Sequence, residues 1–475
     1  MRGDAPAYST RVRTAVVLTG AGTAGAYHAG VLRALHEAGV RIDLVAARGI
    51  GAVGALFAAV DGGQRLWDAG GVWKQPAIAR GYGWRTSLRV GGWAVVAAAV
   101  LLASPLALFA VGVLAAVAAV LLWLVGLTGA STSVTSAYSR SLDALFAPAA
   151  LPTVVPRLIV LCLLVAVAAL GVALAMGAFR AQTRRSTRGG RLWRLLGAPL
   201  SAGALVDRTC AELWNLIRGA AVIAAPARPE LGRKYAELLT ENLGQPGFRE
   251  LVLVAHDMDA RRDLVFAMLA EPHRTPFFSR PAADGGRQAE AIDLAGAGRD
   301  HVMDALAACL ALPIATDPYL VRFAPEGPWR GETHRVCDRP GSLPRLLEEA
   351  AAAGAEQVII LTAAAPPARP HELSAGRGDL RGKAAESLGA FETAALRDAL
   401  EHARGRFAGV YVIQPAHNPL GPFDFDGTYD ERSDRRYGLG ELLDRGYEDA
   451  YRQFIEPVVG ASGERIESNQ NVELR

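Results

Sequence analysis

The chain has 475 residues and a formal net charge of +3, which allows more than one domain and gives no charge excess that would indicate a nucleic-acid partner. Its four cysteines, Cys162, Cys210, Cys309 and Cys337, lack C-x-x-C spacing, which argues against a zinc site and a disulfide framework. The first residues, MRGDAPAYSTRVR, contain no apolar h-region, so we expect no signal peptide.

The first predicted element is a strand that leads through a glycine-rich turn into a helix. In the stretch VVLTGAGTAGAYHAGVLRAL, residues 16–35, Gly20, Gly22 and Gly25 have the spacing G-x-G-x-x-G of a dinucleotide-binding turn. Backbone amides in such a turn can also stabilise an oxyanion. The turn by itself therefore leaves two hypotheses open, a nucleotide site and an oxyanion loop.

The next stretch predicts a second strand followed at once by a helix. In RIDLVAARGIGAVGALFAAVDGG, a short buried strand meets a very tight turn and then a helix of small and apolar residues. Arg48 could bind the 2′-phosphate of NADP, so the nucleotide hypothesis keeps a candidate ligand. A strand, a sharp turn and a small-residue helix are also typical of a nucleophile elbow.

A long apolar insert follows. No charged residue occurs between residues 90 and 139, and the runs 93–127 and 156–179 are long enough to span a bilayer. Between them, the loop 128–155 has only Arg140 as a basic residue. The flanks on both sides are basic: Lys74, Arg80, Arg85 and Arg89 before, and Arg180, Arg184, Arg185, Arg188, Arg191 and Arg194 after.

This charge pattern predicts an even number of crossings with both flanks in the cytoplasm. We expect two crossings, at about 106–127 and 157–178, with residues 91–105 as an interfacial or kinked lead-in. Three crossings with a break at Ser104-Pro105 would conflict with the charges, and four crossings are the alternative. The basic stretch 180–194 is either a topological anchor or a contact for anionic lipid.

The two glycine-containing stretches resemble the patatin-like phospholipases. That family opens with a strand and a G-G-G-x-R-G oxyanion loop, then a helix, then a strand that ends in G-T-S-x-G-A with the nucleophilic serine. Three later stretches resemble its further blocks: RELVLVAHDMDARRDLVF (249–266), DALAACLALPIATDP (304–318) and HRVCDRPGSLPRLLEEAAAAGAEQVIIL (334–361). The resemblance covers about residues 14–60 and 230–415.

The resemblance implies an α/β patatin-like three-layer fold whose central, mostly parallel sheet is interrupted by a transmembrane helical hairpin. We expect the N-terminal part of the patatin-like domain at residues 1–85, the transmembrane insert at 86–200, the C-terminal part at 201–460 and a flexible tail at 461–475. The amphipathic stretch LGELLDRGYEDAYRQFI should pack on the core.

The resemblance also assigns catalytic positions, and the sequence departs from the family at each. The serine position falls on Gly49, which has no side chain. The oxyanion loop becomes Gly20, Ala21, Gly22 and Gly25, with Ala24 in place of the family's arginine. Thr23 is a hydroxyl nearby, but no base is evident beside it.

The base position falls on Asp338, which is followed by Arg339 rather than by glycine. The alternative is that Asp338 is a surface carboxylate paired with an arginine. A literal D-G-G at Asp284 and the dipeptide Asp426-Gly427 indicate surface turns. His301 and His334 have no metal-ligand spacing, and we interpret His28 and His256 as structural.

These departures predict a membrane-anchored patatin-like protein with little or no hydrolase activity, which binds a lipid or acyl ligand or a protein partner. One alternative is an active lipid acyl hydrolase with atypical catalytic residues, and another is an NADP-binding module. No cofactor and no nucleic-acid partner are predicted. We expect a bacterial inner membrane location with both soluble halves in the cytoplasm.

Overall fold

The computed structural model describes residues 8–75, 78, 80–145, 151–182, 198–280, 289–325, 329–366, 380–416, 418–423, 428–430 and 435–460. The chain divides into two compact units. One, the α/β unit, comprises Met1–Gly83 and Leu200–Arg475, and the other, the helical unit, comprises Trp84–Pro199. The helical unit corresponds in position to the predicted insert at 86–200, whose membrane role stays a prediction.

The strands are β1 (Thr14–Leu18), β2 (Leu44–Ala47), β3 (Gly83–Trp84), β4 (Leu200–Ser201), β5 (Glu250–Asp257), β6 (Arg262–Met268), β7 (Ala289–Asp293), β8 (Tyr319–Arg322), β9 (Thr333–Cys337), β10 (Gln357–Leu361), β11 (Gly409–Ile413), β12 (Thr428–Asp430) and β13 (Arg435–Tyr437). The first two strands lie where the sequence predicts them. Both are continuous apolar runs buried on both faces, as parallel strands covered by helices require.

The helices are α1 (Ala24–Glu37), α2 (Gly51–Ala59), α3 (Gln64–Trp67), α4 (Thr86–Leu124), α5 (Thr128–Leu145), α6 (Leu151–Gln182), α7 (Gly203–Arg218), α8 (Arg228–Asn242), α9 (Arg274–Phe278), α10 (Val302–Leu310), α11 (Leu343–Ala352), α12 (Leu380–Ala403) and α13 (Leu439–Ala450). A π-helix, Tyr451–Val459, continues α13. Buried residues of both lie in the core, as the amphipathic pattern of this stretch predicts.

The α/β unit is built on one nine-stranded sheet. Its order is β11-β10-β1-β2-β5-β6-β7, with β9 paired to β5 and β8 paired to β9. The five strands from β11 to β5 are mutually parallel, and β6 and β9 run antiparallel to β5. The predicted α/β class with a mostly parallel central sheet is therefore confirmed.

Alternation along the strands divides the core into two layers of side chains. Val16 and Leu18 of β1 pack in the layer that contains α1, α2, α7, α8 and α10, whereas Ala15 and Val17 pack against α11 and α12. Helices thus cover both faces of the sheet, which makes three layers. The register places the last residues of β1, β2 and β10 side by side, so the turns that follow them meet at one edge.

In the part of the helical unit that the structure describes there are three long helices, α4, α5 and α6. Two stretches, Thr86–Leu124 and Arg157–Met176 within α6, are long and apolar enough to cross a membrane. The helix α4 continues without a break through residues 104 and 105, so residues 91–105 belong to one 39-residue helix. The segment 128–155 that the sequence treats as a loop contains the 18-residue helix α5.

Contacts within the helical unit show which parts of the helices are neighbours. The hydroxyl of Tyr138 on α5 donates to the carbonyl of Leu108, 3.0 Å away, so α5 lies along the second half of α4. A methyl group placed on Gly91 would lie 3.6 Å from Cβ of Ala169, so the start of α4 lies beside the middle of the second apolar run.

Candidate functional site

The predicted elbow is present as a sharp turn between β2 and α2. The Arg48 amide donates to the Leu18 carbonyl at 3.2 Å, and α2 begins at Gly51. Between them, Gly49 has φ of +55°, in the left-handed region that glycine adopts without strain. The turn therefore keeps the tight geometry of an elbow, with a glycine at the position that the resemblance assigns to the nucleophile.

The space where a nucleophilic side chain would start is filled by backbone. A Cβ atom built on Gly49 would overlap the carbonyl oxygen of Gly20. That same oxygen accepts a hydrogen bond of 3.0 Å from the Ile50 amide. In hydrolases with such an elbow, the amide that follows the nucleophile helps to stabilise the oxyanion. Here that amide, of Ile50, already donates to the Gly20 carbonyl.

Asp338 lies next to the elbow, as the resemblance predicts for the base position. It follows β9, and its Oδ2 lies 3.1 Å from the Cβ position of Gly49. The amide of Asp338 donates to the carbonyl of Ala311 at 2.9 Å, so the Asp338 backbone is bonded to the residue that follows α10. The alternative of a surface carboxylate paired with an arginine is wrong about exposure, because Asp338 is fully buried, but Asp338 does pair with an arginine. Its catalytic role stays a prediction.

Asp338 is held by an arginine from the elbow itself. Nη1 of Arg48 lies 2.8 Å from Oδ2 and 3.1 Å from Oδ1 of Asp338, and Nη2 lies 2.7 Å from Oε1 of Glu392 on α12. The Arg48 side chain is 1% exposed and that of Asp338 is 0% exposed. The result is a buried ion triad in the place where a nucleophile and base would meet.

The electrostatics of the triad follow from burial and charge. Burial raises the pKa of the Asp338 carboxyl above its usual range, and the Arg48 guanidinium opposes that rise. Burial alone would lower the pKa of Arg48, but the carboxylates of Asp338 and Glu392 outweigh it and raise the pKa. Arg48 therefore stays charged, and its ion pair with Asp338 occupies the carboxylate that a catalytic base would use.

The glycine loop is covered by a later segment of the chain. A Cβ atom on Gly22, whose φ is +61°, would overlap the carbonyl of Pro422. The hydroxyl of Thr23 donates to the carbonyl of Gly421 at 3.1 Å, so the only hydroxyl in the loop is already engaged. Ala21 is buried, and Gly25 packs on Trp73. A carbonyl oxygen facing the loop would repel a phosphate as well as an oxyanion.

Two other groups near the elbow, Cys309 and His28, are held in inert states. Burial raises the pKa of the Cys309 thiol well above its usual range, so it stays protonated. Burial lowers the pKa of His28 to about 3, so its imidazole is neutral, consistent with a packing role. His256 pairs with Asp263 and His334 pairs with Asp257, which the sequence did not indicate.

Two residues of the triad were missed by sequence reasoning. The sequence analysis gives Arg48 no ion-pair partner, although a single charge between an apolar strand and an apolar helix is typical of a buried ion pair. No sequence signal points to Glu392, which reaches the site from α12. The turns predicted at Asp284 and at Asp426-Gly427 lie outside the described residues.

Comparisons with known proteins do not show a family for this chain. No family model matches it, and no curated protein matches it. Among solved structures, it is similar to VipD from Legionella pneumophila, with 14% sequence identity and a TM-score of 0.30 over 94% of this chain and 67% of that chain. A TM-score this low does not assign the chain to a family.

Proposed function

We propose that this chain is a membrane-anchored, patatin-like protein whose elbow has lost ester hydrolysis and which binds a lipid or acyl ligand or a protein partner. The observation that carries the proposal is the Arg48–Asp338 ion pair beside Gly49. Covalent ester hydrolysis needs a nucleophilic side chain and a base free to take its proton. Gly49 supplies no nucleophile, and Arg48 holds the carboxylate at the base position.

The oxyanion loop supports the same proposal. Catalytic stabilisation of an oxyanion needs amides that point into an accessible space. The Gly20 carbonyl takes up the Ile50 amide, and Pro422 covers Gly22. The nucleophilic side chain is thus absent, the base position is paired and one oxyanion donor is engaged, while the order of strand, glycine turn, helix, strand and elbow matches the patatin-like motifs.

Membrane anchoring is supported by the surface of the helical unit. Leu106 and Phe109 of α4 are 73% and 72% exposed, and almost none of the two apolar windows is buried. A core helix of a soluble protein would be covered by its neighbours, and a continuous apolar surface of this size fits lipid. The bacterial inner membrane is the location that we propose.

The sheet supports an even number of crossings. Strand β2, before the insert, pairs with β5, after it, so both halves of the α/β unit lie on the same side of any membrane. The basic flanks favour the cytoplasmic side. With a rise of 1.5 Å per residue, α4 is about 58 Å long, so only part of it fits a hydrocarbon core of about 30 Å.

The crossing segment of α4 stays predicted at residues 106–127. The contact between Gly91 and Ala169 instead favours a crossing nearer the start of α4, beside the apolar run in α6. Single cysteines in place of Gly92 and Ala116 distinguish the two positions in membrane vesicles. Protection of residue 92 from an impermeant maleimide, with labelling of residue 116, would favour the earlier segment. Labelling of residue 92, with protection of residue 116, would favour a crossing at 106–127.

The loss of hydrolysis is tested on the full chain purified in detergent. We expect no labelling by a fluorophosphonate and no hydrolysis of phospholipid or of a nitrophenyl ester. An Asp338→Asn variant serves as the matched control, because it keeps the shape of the side chain. Turnover in the wild type that Asp338→Asn abolishes would contradict the proposal and favour an active hydrolase with an atypical nucleophile.

A further inference from the structure

A polar cleft of about 360 Å³ lies in the α/β unit at some distance in sequence from the elbow. It is formed where the hairpin between β5 and β6 meets the start of α11. We call it the Asp263 cleft, and the residues that matter to its chemistry are His256, Arg261, Arg262, Asp263, Arg339 and Arg345. The cleft borders the elbow site, because the Arg339 backbone hydrogen-bonds the Asp338 carboxylate.

The Asp263 carboxylate contacts three basic side chains of this cleft and fixes their positions. Its Oδ1 lies 2.9 Å from Nδ1 of His256, and its Oδ2 lies 2.6 Å from Nη2 of Arg339 and 3.6 Å from Nε of Arg345. The Asp263 side chain is only 6% exposed. A nearly buried carboxylate that is bonded on both oxygens holds its partners in place and presents little negative charge to the cleft.

The cleft carries an excess of positive charge. Four arginines line it, against the two carboxylates of Asp263 and Glu348, which leaves a formal charge of +2 with His256 neutral. The Arg339 side chain is 44% exposed and is therefore accessible to a ligand. The Arg262 side chain is 45% exposed, pairs with Glu290 at 3.6 Å and lies over the Trp329 ring. Arginine is the side chain best suited to the oxygens of a phosphate group.

The backbone favours the same ligand charge. The ten-residue helix α11 begins at Leu343, and its positive end lies at the cleft, next to Pro344. Gly341 also lines the cleft, with φ of +87°, and adds no side chain that would narrow it. The helix end adds to the four arginines rather than forming a site by itself.

We propose that the Asp263 cleft binds a phosphomonoester, carried either by a lipid headgroup or by a small soluble organophosphate. The volume is at the lower end of ligand pockets and admits a phosphate with a short group such as glycerol. The polar lining does not suit an acyl chain. This inference does not depend on whether the elbow hydrolyses esters.

The test measures thermal stabilisation of the full chain in detergent by glycerol 3-phosphate and by short-chain phosphatidic acid. Short-chain phosphatidylglycerol and sulfate are the controls for a phosphodiester and for an anion alone. We expect saturable stabilisation by at least one phosphomonoester and an affinity at least about tenfold lower in Arg339→Gln. The matched control is Arg335→Gln, since Arg335 is 46% exposed and pairs with Asp259 outside the cleft.

The two sources of the phosphate give different results. Binding of phosphatidic acid without glycerol 3-phosphate would assign the cleft to a lipid headgroup, and binding of glycerol 3-phosphate of equal strength would assign it to soluble organophosphates. Absence of saturable binding by either compound, or an equal loss in Arg335→Gln and Arg339→Gln, would overturn the proposal. Equal stabilisation by sulfate would also overturn it.

Discussion

Arg48 and Asp338 form a buried ion pair in which one guanidinium nitrogen, Nη1, lies 2.8 Å and 3.1 Å from the two carboxylate oxygens. Arg48 belongs to the elbow between β2 and α2, and Asp338 comes from the end of β9. The pair therefore joins the two segments to which the sequence resemblance assigns the nucleophile and the base. We propose that the pair has a structural role there in place of a catalytic one.

Removal of the Arg48 guanidinium should destabilise the protein strongly. Arg48→Met leaves the buried Asp338 and the partly exposed Glu392 without their cation, and loss of one partner costs about 3–5 kcal/mol in buried pairs. Asp338→Asn should cost less, because Arg48 keeps Glu392. The free energy of unfolding is measured by denaturant titration in detergent.

Arg33→Met is the control for this experiment, since Arg33 forms an exposed ion pair with Glu37 one helical turn away. Exposed pairs of this kind contribute little to stability. An Arg48→Met variant no less stable than Arg33→Met would show that the triad does not stabilise the fold.

A serine at the elbow should not create an enzyme. Gly49→Ser places a side chain at φ of +55°, which costs about 1–2 kcal/mol, and pushes against the Gly20 carbonyl. Asp338 also remains held by Arg48. We expect Gly49→Ser and Gly49→Ala to be destabilised to a similar degree, with no ester hydrolysis in either.

Gly54→Ala is the matched control, because Gly54 lies inside α2, where a Cβ atom would be 3.4 Å from the nearest side-chain carbon. Its stability should stay close to that of the wild type. Hydrolysis by Gly49→Ser at wild-type stability would mean that the glycine loop moves easily and that Arg48 does not restrain Asp338.

Glu250 should make the stability depend on pH. Burial at the start of β5 raises the pKa of Glu250 to about 7, although Arg13 opposes the rise, and the nearby Asp43 adds to it. A raised pKa in the folded state means that the protonated form stabilises the fold. This contribution is complete below pH 4.5 and is lost as the pH rises through 7.

The measurement compares the wild type with Glu250→Gln between pH 4.5 and 7.5. The free energy of unfolding of the wild type should fall by up to about 3 kcal/mol relative to the variant over this range. Carboxyl groups common to both proteins cancel in the difference. Parallel pH profiles would show that Glu250 titrates normally.

The α/β unit should fold without the helical unit. Gly83 and Leu200 lie on the paired strands β3 and β4, so a short linker can join the two halves. A chain in which a Gly-Ser linker replaces residues 85–198 should be monodisperse without detergent and keep its α/β circular dichroism spectrum. Aggregation of this chain, with the full chain well behaved in detergent, would show that the helical unit is needed for folding.

Much of the fold could be predicted from the sequence because its signals are local. The apolar runs of β1 and β2, the tight turns and the small residues of α2 determine where these elements begin and end. The helix α5 was missed because its serines and threonines are typical of loops, and their hydroxyls bond to carbonyls one turn earlier.

The site depended on the tertiary structure. The sequence by itself determined that Gly49 lacks a nucleophile, since a missing side chain needs no neighbours to be recognised. Whether Asp338 is free or paired was decided by β9, which runs antiparallel to β5 and delivers Asp338 to Arg48 from 290 residues away. The cover on the glycine loop and the cations of the Asp263 cleft likewise come from distant segments. Burial and charge act between groups that are close in space, so only the folded chain determines them.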